Sequence, residues 1–103
     1  MKIISLNKAM EIAEKYIEEV PTKRTLSRYV QRGVLSDWKK VEHFGQQGTE
    51  YLYPNIIAAE IIVAVKLKGS LTLDEIARAR AGEGIAAELY KSKLEEVKQM
   101  INK

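Results

Sequence analysis

Four cations, Lys23, Arg24, Arg28 and Arg32, fall within ten positions with no acid between them. Thr22, Thr25, Ser27, Tyr29 and Gln31 lie in the same stretch and add hydroxyl and amide groups. Such a set suits a polyanion that also presents hydrogen-bonding edges. Arginine can bond guanine and glutamine adenine, whereas Lys, Ser and Thr satisfy phosphate oxygens. Read as a helix, the stretch places Leu26, Val30 and the ring of Tyr29 on one face, three or four residues apart. Lys23, Arg24, Ser27, Arg28 and Gln31 share the other face. One buried stripe opposite one cationic, hydrogen-bonding stripe is what a major-groove reader needs. The same pattern also suits a solvated basic surface helix.

Other chemistry finds little footing. His43 is the single histidine and has no acid–base partner suggested by spacing. There is no phosphate-cradling glycine loop, no dinucleotide-binding glycine pattern and no His/Asp/Glu spacing suited to a metal. Glu18–Glu19 and Glu95–Glu96 are adjacent acids, which point in different directions on a helix and read as solvated. Trp38 and Phe44 read as packing aromatics rather than base-stacking platforms. The expectation is a protein that is not an enzyme, with no catalytic residue, metal or cofactor. The absence of cysteine removes disulfides, thiolate metal sites and thiol redox sensing, and it suits a cytoplasmic location. The first residues lack a signal-peptide pattern, and the apolar run at residues 56–67 is broken by Glu60 and Lys66 and too short for a bilayer. No membrane partner is expected. The formal charge of +3 is mild, so the basic helix matters for its local density.

These side chains need elements to hold them. At 103 residues the chain fits one domain with an appended helix, divided as 1–82 and 83–103. Ser5 can cap a first helix over residues 5–19, whose Leu6, Met10, Ala13, Tyr16 and Ile17 follow helical spacing. Val20-Pro21 then turns tightly into the basic helix, which Thr22 caps and Gly33 ends. Two helices joined by about three residues, the second cationic, form a helix-turn-helix candidate. Residues 38–44 are partly alternating and rich in strand formers, Gly45-Gln46-Gln47-Gly48 is a turn, and residues 49–53 make a second strand. That β-hairpin reads as a wing, with Lys39 and Lys40 placed to reach phosphates.

A third helix over residues 55–68 is apolar nearly all round and should be the core helix. Gly69-Ser70 breaks it, and Thr72 with Glu75 forms a capping box for a short fourth helix. After Gly82-Glu83-Gly84, Ala87, Tyr90, Leu94, Val97 and Ile101 recur at three-four-three-four spacing. That is an a/d seam of about two heptads, rimmed by Lys91, Lys93, Glu95, Glu96 and Lys98. It can pair with a second copy or fold back on its own domain. The expected class is mostly α with a β-hairpin wing, a winged helix-turn-helix.

In this order the elements resemble the DNA-binding domain of the MerR family of bacterial transcription regulators, over roughly residues 5–81. Residues 22–35 are similar to the family's Ser-x-Arg-Thr-Leu-Arg-Tyr-Tyr-Glu-x-x-Gly-Leu-Leu. Tyr51-Leu52-Tyr53-Pro54 falls where the family has Arg-x-Tyr and the next helix. Residues 69–76, Gly-Ser-Leu-Thr-Leu-Asp-Glu-Ile, resemble its Gly-x-Ser-Leu-Glu-Glu-Ile. Ser27 and Arg28 stand where the family has Arg and Tyr, and Tyr51 where a phosphate-contacting Arg is common, so no half-site sequence carries over.

The resemblance implies a cytoplasmic, dimeric regulator that binds double-stranded operator DNA and deforms it between half-sites. DNA contacts are expected from Thr22, Lys23, Arg24, Thr25, Ser27, Arg28, Tyr29, Gln31, Arg32, Lys39, Lys40 and Tyr51, and dimerisation from the Ala87–Ile101 seam. No small-molecule effector is assigned. The alternatives are a small excisionase-like DNA-bending factor and a protein-interaction module that keeps the fold without binding DNA.

Overall fold

A computed structural model of the chain describes residues 6–37 and 56–102. Its centre is a 12-residue helix, Ile56–Leu67, labelled α3 in chain order. Ile57, Ala58, Ala59, Ile61, Ile62, Val63, Ala64 and Leu67 are all buried, so apolar residues occupy nearly every direction around it. A helix with no polar stripe is stable only when other elements enclose it. The run Ile61-Ile62-Val63 favours strands intrinsically, and tertiary burial overrides that preference.

Helix α1 (Leu6–Ala13) lays Leu6, Ala9 and Ala13 against α3. Helix α2 (Lys23–Gln31) adds Leu26 and Tyr29 to the same core. Helix α4 (Leu73–Arg80) buries Ile76 and Ala79, and helix α5 (Ala87–Ile101) buries Tyr90 and Val97. Both α4 and α5 pack on α3 and on each other. Residues of all five helices belong to one hydrophobic cluster, α5 included.

Helix α4 shows the expected capping box with both bonds present. Glu75 N–H donates to Thr72 Oγ1 at 3.1 Å, and Thr72 N–H donates to Glu75 Oε1 at 2.8 Å.

Three expectations change. The winged class is corrected: the described residues form five helices with no strand or sheet, and helix-to-helix packing alone builds their core. Every residue of the expected hairpin, 38–53, with Lys39, Lys40, Tyr51 and His43, lies outside the described residues. Helix α1 is also shorter than expected, because the chain tightens after Ala13. Lys15 N–H bonds the Ile12 carbonyl and Tyr16 N–H the Ala13 carbonyl, both three residues back. Tyr16, Ile17 and Val20 still pack on the core, which is why the apolar spacing continued past the end of the helix. The link to α2 therefore spans residues 14–22 instead of about three residues.

Candidate nucleic-acid interface

The basic helix is built by its ends. Thr22 is extended, at φ −69° and ψ 163°, and its Oγ1 accepts the Thr25 N–H at 3.2 Å. That satisfies one of the donors a helix start leaves open and helps to set where α2 begins. At the other end Gly33 N–H bonds the Val30 carbonyl and Val34 N–H bonds the Tyr29 carbonyl at 2.8 Å. This is a Schellman closure, and its left-handed position is Gly33, at φ +82°. A side chain there would meet the Ala77 Cβ at an ordinary 3.7 Å, so backbone conformation rather than space calls for glycine.

Between those ends the helix divides cleanly. Leu26 and Tyr29 face the core, with Val30 half-buried beside them. Lys23, Arg24, Arg28, Gln31 and Arg32 are exposed, and Thr25 and Ser27 are half-buried at the margins. At about 100° per residue, Gln31 and Arg24 lie at the middle of the outer face, with Ser27 and Arg28 to either side. No acid occurs in α2.

Lys23, Arg24 and Arg28 have no ion-pair partner among the described residues. Arg32 differs: its Nη2 donates to Asp74 Oδ1 on α4 at 2.8 Å. Tyr29 differs too. It is only 3 % exposed, so its ring serves the core rather than the outer face where base or phosphate contacts would be made.

A polar cluster, invisible to sequence spacing, fixes the end of α2 to the body. Glu60 on α3 is buried, 3 % exposed, among the apolar residues of its helix. Its Oε1 accepts the Ser36 N–H at 2.9 Å, and its Oε2 accepts Ser36 Oγ at 3.1 Å and Arg80 Nε at 2.8 Å. Arg80 also donates through Nη2 to Ser36 Oγ at 2.7 Å and through Nη1 to the Gly33 carbonyl at 3.4 Å. One carboxylate and one guanidinium thus join α3, α4 and the chain leaving α2. In sequence Glu60 reads as an interruption of an apolar run. That was the available signal, since a carboxylate there must find a cation, but the spacing does not say which.

The expected dimer seam is spent inside the chain. Tyr90 and Val97 are buried against the body, Leu94 and Ile101 pack on the same core, and Ala87 is half-buried. Tyr16 Oη donates to the Met100 carbonyl at 3.2 Å and ties the end of α5 to the α1–α2 link.

The Tyr90 hydroxyl is buried with no hydrogen-bond partner among the described residues. Burial pushes its ionisation above the ordinary 10.0, the Glu60 carboxylate adds to the rise, and Arg80 opposes it. Tyr90→Phe removes an unsatisfied polar atom without changing shape, and is expected to raise stability by about 1 kcal/mol at neutral pH. The unfolded phenol ionises near pH 10 while the folded one resists, so the neutral fold is favoured below that pH. Its advantage is lost as pH rises above 10. The gap between Tyr90→Phe and the parent should therefore widen there by up to about 1.4 kcal/mol per pH unit. Urea titrations between pH 7 and alkaline pH read both effects, and a variant less stable than the parent at pH 7 would show that the hydroxyl is satisfied.

Among the described residues no group of acids and histidines could hold a metal, and no helix is long and apolar enough to cross a membrane. Comparison with protein-family models, with curated proteins and with solved structures finds no match.

Proposed function

We propose that this chain binds double-stranded DNA through α2 and acts as a cytoplasmic transcription regulator of MerR-like type. One observation carries the reading: an acid-free helix, anchored by Leu26 and Tyr29, presents Lys23, Arg24, Ser27, Arg28 and Gln31 on a single outer face. Unpaired cations there keep their charge for phosphates or guanine edges, and Gln31 supplies an amide suited to adenine. The similarity of residues 22–35 and 69–76 to the family's motifs supports the same assignment. Arg32 starts from a weaker position, because Asp74 competes for it. An exposed pair of this kind contributes little to stability, so the exchange for a phosphate costs little.

Selection of bound duplexes from a random pool tests the proposal directly. An enriched sequence is expected, bound with an affinity that falls as salt rises. If Lys23, Arg24 and Arg28 all approach the backbone, the slope of log K against log salt should be about −2 to −3. Strong salt-sensitive binding without an enriched sequence would favour a DNA-bending architectural factor instead. No binding at low salt would end the DNA reading and leave a protein-interaction module.

A further inference from the structure

Two large apolar side chains stand open among the described residues, Ile85 at 104 % exposure and Leu89 at 48 %. Ile85 lies in the turn just before α5 and Leu89 in the first turn of that helix, four residues on. The turn before them is closed by hydrogen bonds: Gly82 N–H bonds the Ala79 carbonyl at 3.0 Å and Glu83 N–H bonds the Arg78 carbonyl at 2.8 Å. Gly82 and Gly84 both adopt left-handed backbone, at φ +86° and +82°, which L side chains rarely take. Ala87 N–H bonds the Gly84 carbonyl at 3.3 Å across Ile85, whose side chain stands open to solvent.

Ile85 forms one wall of a hollow of about 200 Å³, which Leu71 and Ala86 also line with apolar surface and Glu75, Arg78 and Glu83 border. Leu71 and Ala86 pack on the core below. The Glu75 carboxylate is engaged in its capping box. Arg78 and Glu83 are exposed and have no ion-pair partner among the described residues. A projecting isoleucine, an apolar hollow, one unpaired cation and one unpaired anion on the same patch are self-complementary. A two-fold axis brings each feature opposite its counterpart.

We infer that a second copy of this chain docks here. Ile85 of each copy enters the hollow between Leu71 and Ala86 of the other, and Arg78 of each pairs with Glu83 of the other. A lipid surface fits less well, since two acids border the hollow against one cation. The α5 seam is not available for this contact, because Tyr90 and Val97 are buried in their own chain. The inference does not rest on DNA binding by α2, and its test contains no DNA.

Analytical ultracentrifugation of the full chain reads the outcome. The parent should move from 11.7 kDa toward twice that mass as concentration rises from about 10 µM to about 1 mM, as a small patch allows. Ile85→Asp should weaken association at least about tenfold with unchanged circular dichroism and melting, since the side chain touches little in the monomer. Arg78→Glu and Glu83→Arg should each weaken it, and the two together should restore it. A parent that stays monomeric at about 1 mM overturns the inference and gives the patch to a partner of different sequence. Association of Ile85→Asp at the parent's strength, or a double charge swap that fails to restore it, overturns it as well.

Discussion

Arg80→Ala should destabilise the fold by about 3–5 kcal/mol, a large part of the 5–15 kcal/mol typical of a whole domain. The side chain of Glu60 is 4 % accessible, and of its three hydrogen bonds two come from Ser36 and one from Arg80, its only cation among the described residues. Without the guanidinium, the carboxylate keeps only Ser36 as a partner and has no cation beside it. The Gly33 carbonyl and Ser36 Oγ lose a donor in the same step. Arg80→Lys keeps the charge but cannot serve Glu60, Ser36 and Gly33 at once from a single ammonium, so it should fall between the two. Glu60→Leu combined with Arg80→Leu removes both charges together and should recover most of the loss, because apolar pairs of similar volume often replace buried ion pairs without penalty. Urea denaturation of the four proteins measures all of this. A loss below about 1 kcal/mol for Arg80→Ala would put the pair with ordinary surface ion pairs and refute the argument from burial.

The helices were legible in the sequence where side-chain spacing and end chemistry agreed. Thr22 and Gly33 bracket α2 because their chemistry acts on the backbone locally, through one hydroxyl and one left-handed residue. Thr72 with Glu75 is local in the same way. The end of α1 was not legible, since Tyr16 and Ile17 remain core residues after the backbone has tightened. Periodicity records which side chains need cover, not the backbone geometry that delivers them. The α5 seam shows the same limit. The spacing of Tyr90, Leu94, Val97 and Ile101 marks a face to be covered, and α3 and α4 of the same chain cover it.

The candidate interface divides along similar lines. Lys23, Arg24, Arg28 and Gln31 reach the outer face expected of them because that face is fixed by Leu26 on the opposite side. By spacing Tyr29 fits both the apolar stripe and a DNA contact, and burial gives it to the stripe. The acid beside Arg32 comes from Asp74, 42 residues along the chain, so no local pattern could show it. Ser36, Glu60 and Arg80 are likewise separated by 24 and 20 residues, and only the packing of α4 and of the chain leaving α2 against α3 brings them together.

Arg24→Ala and Arg28→Ala should each weaken binding to a selected duplex by about 1–3 kcal/mol if the side chain reads a base, with relaxed preference at the base pair it contacts. Both side chains are exposed and have no ion-pair partner among the described residues, so neither change should disturb folding. Arg24 lies near the middle of the outer face and should show the sharper loss of specificity. A residue that instead meets a phosphate should weaken all sequences about equally and reduce the salt slope by about 1. The double change to Glu places two acids on the face and should remove detectable binding at physiological salt, because repulsion replaces two attractive contacts. Lys91→Ala supplies the comparison: it removes an exposed cation from α5, away from α2, and should leave affinity and specificity unchanged. Arg32→Ala should cost less than either α2 arginine, since Asp74 already holds part of its charge. If Arg24→Ala and Arg28→Ala bind the selected duplex as the parent does, α2 is not the reading helix, whatever the affinity of the whole chain for DNA.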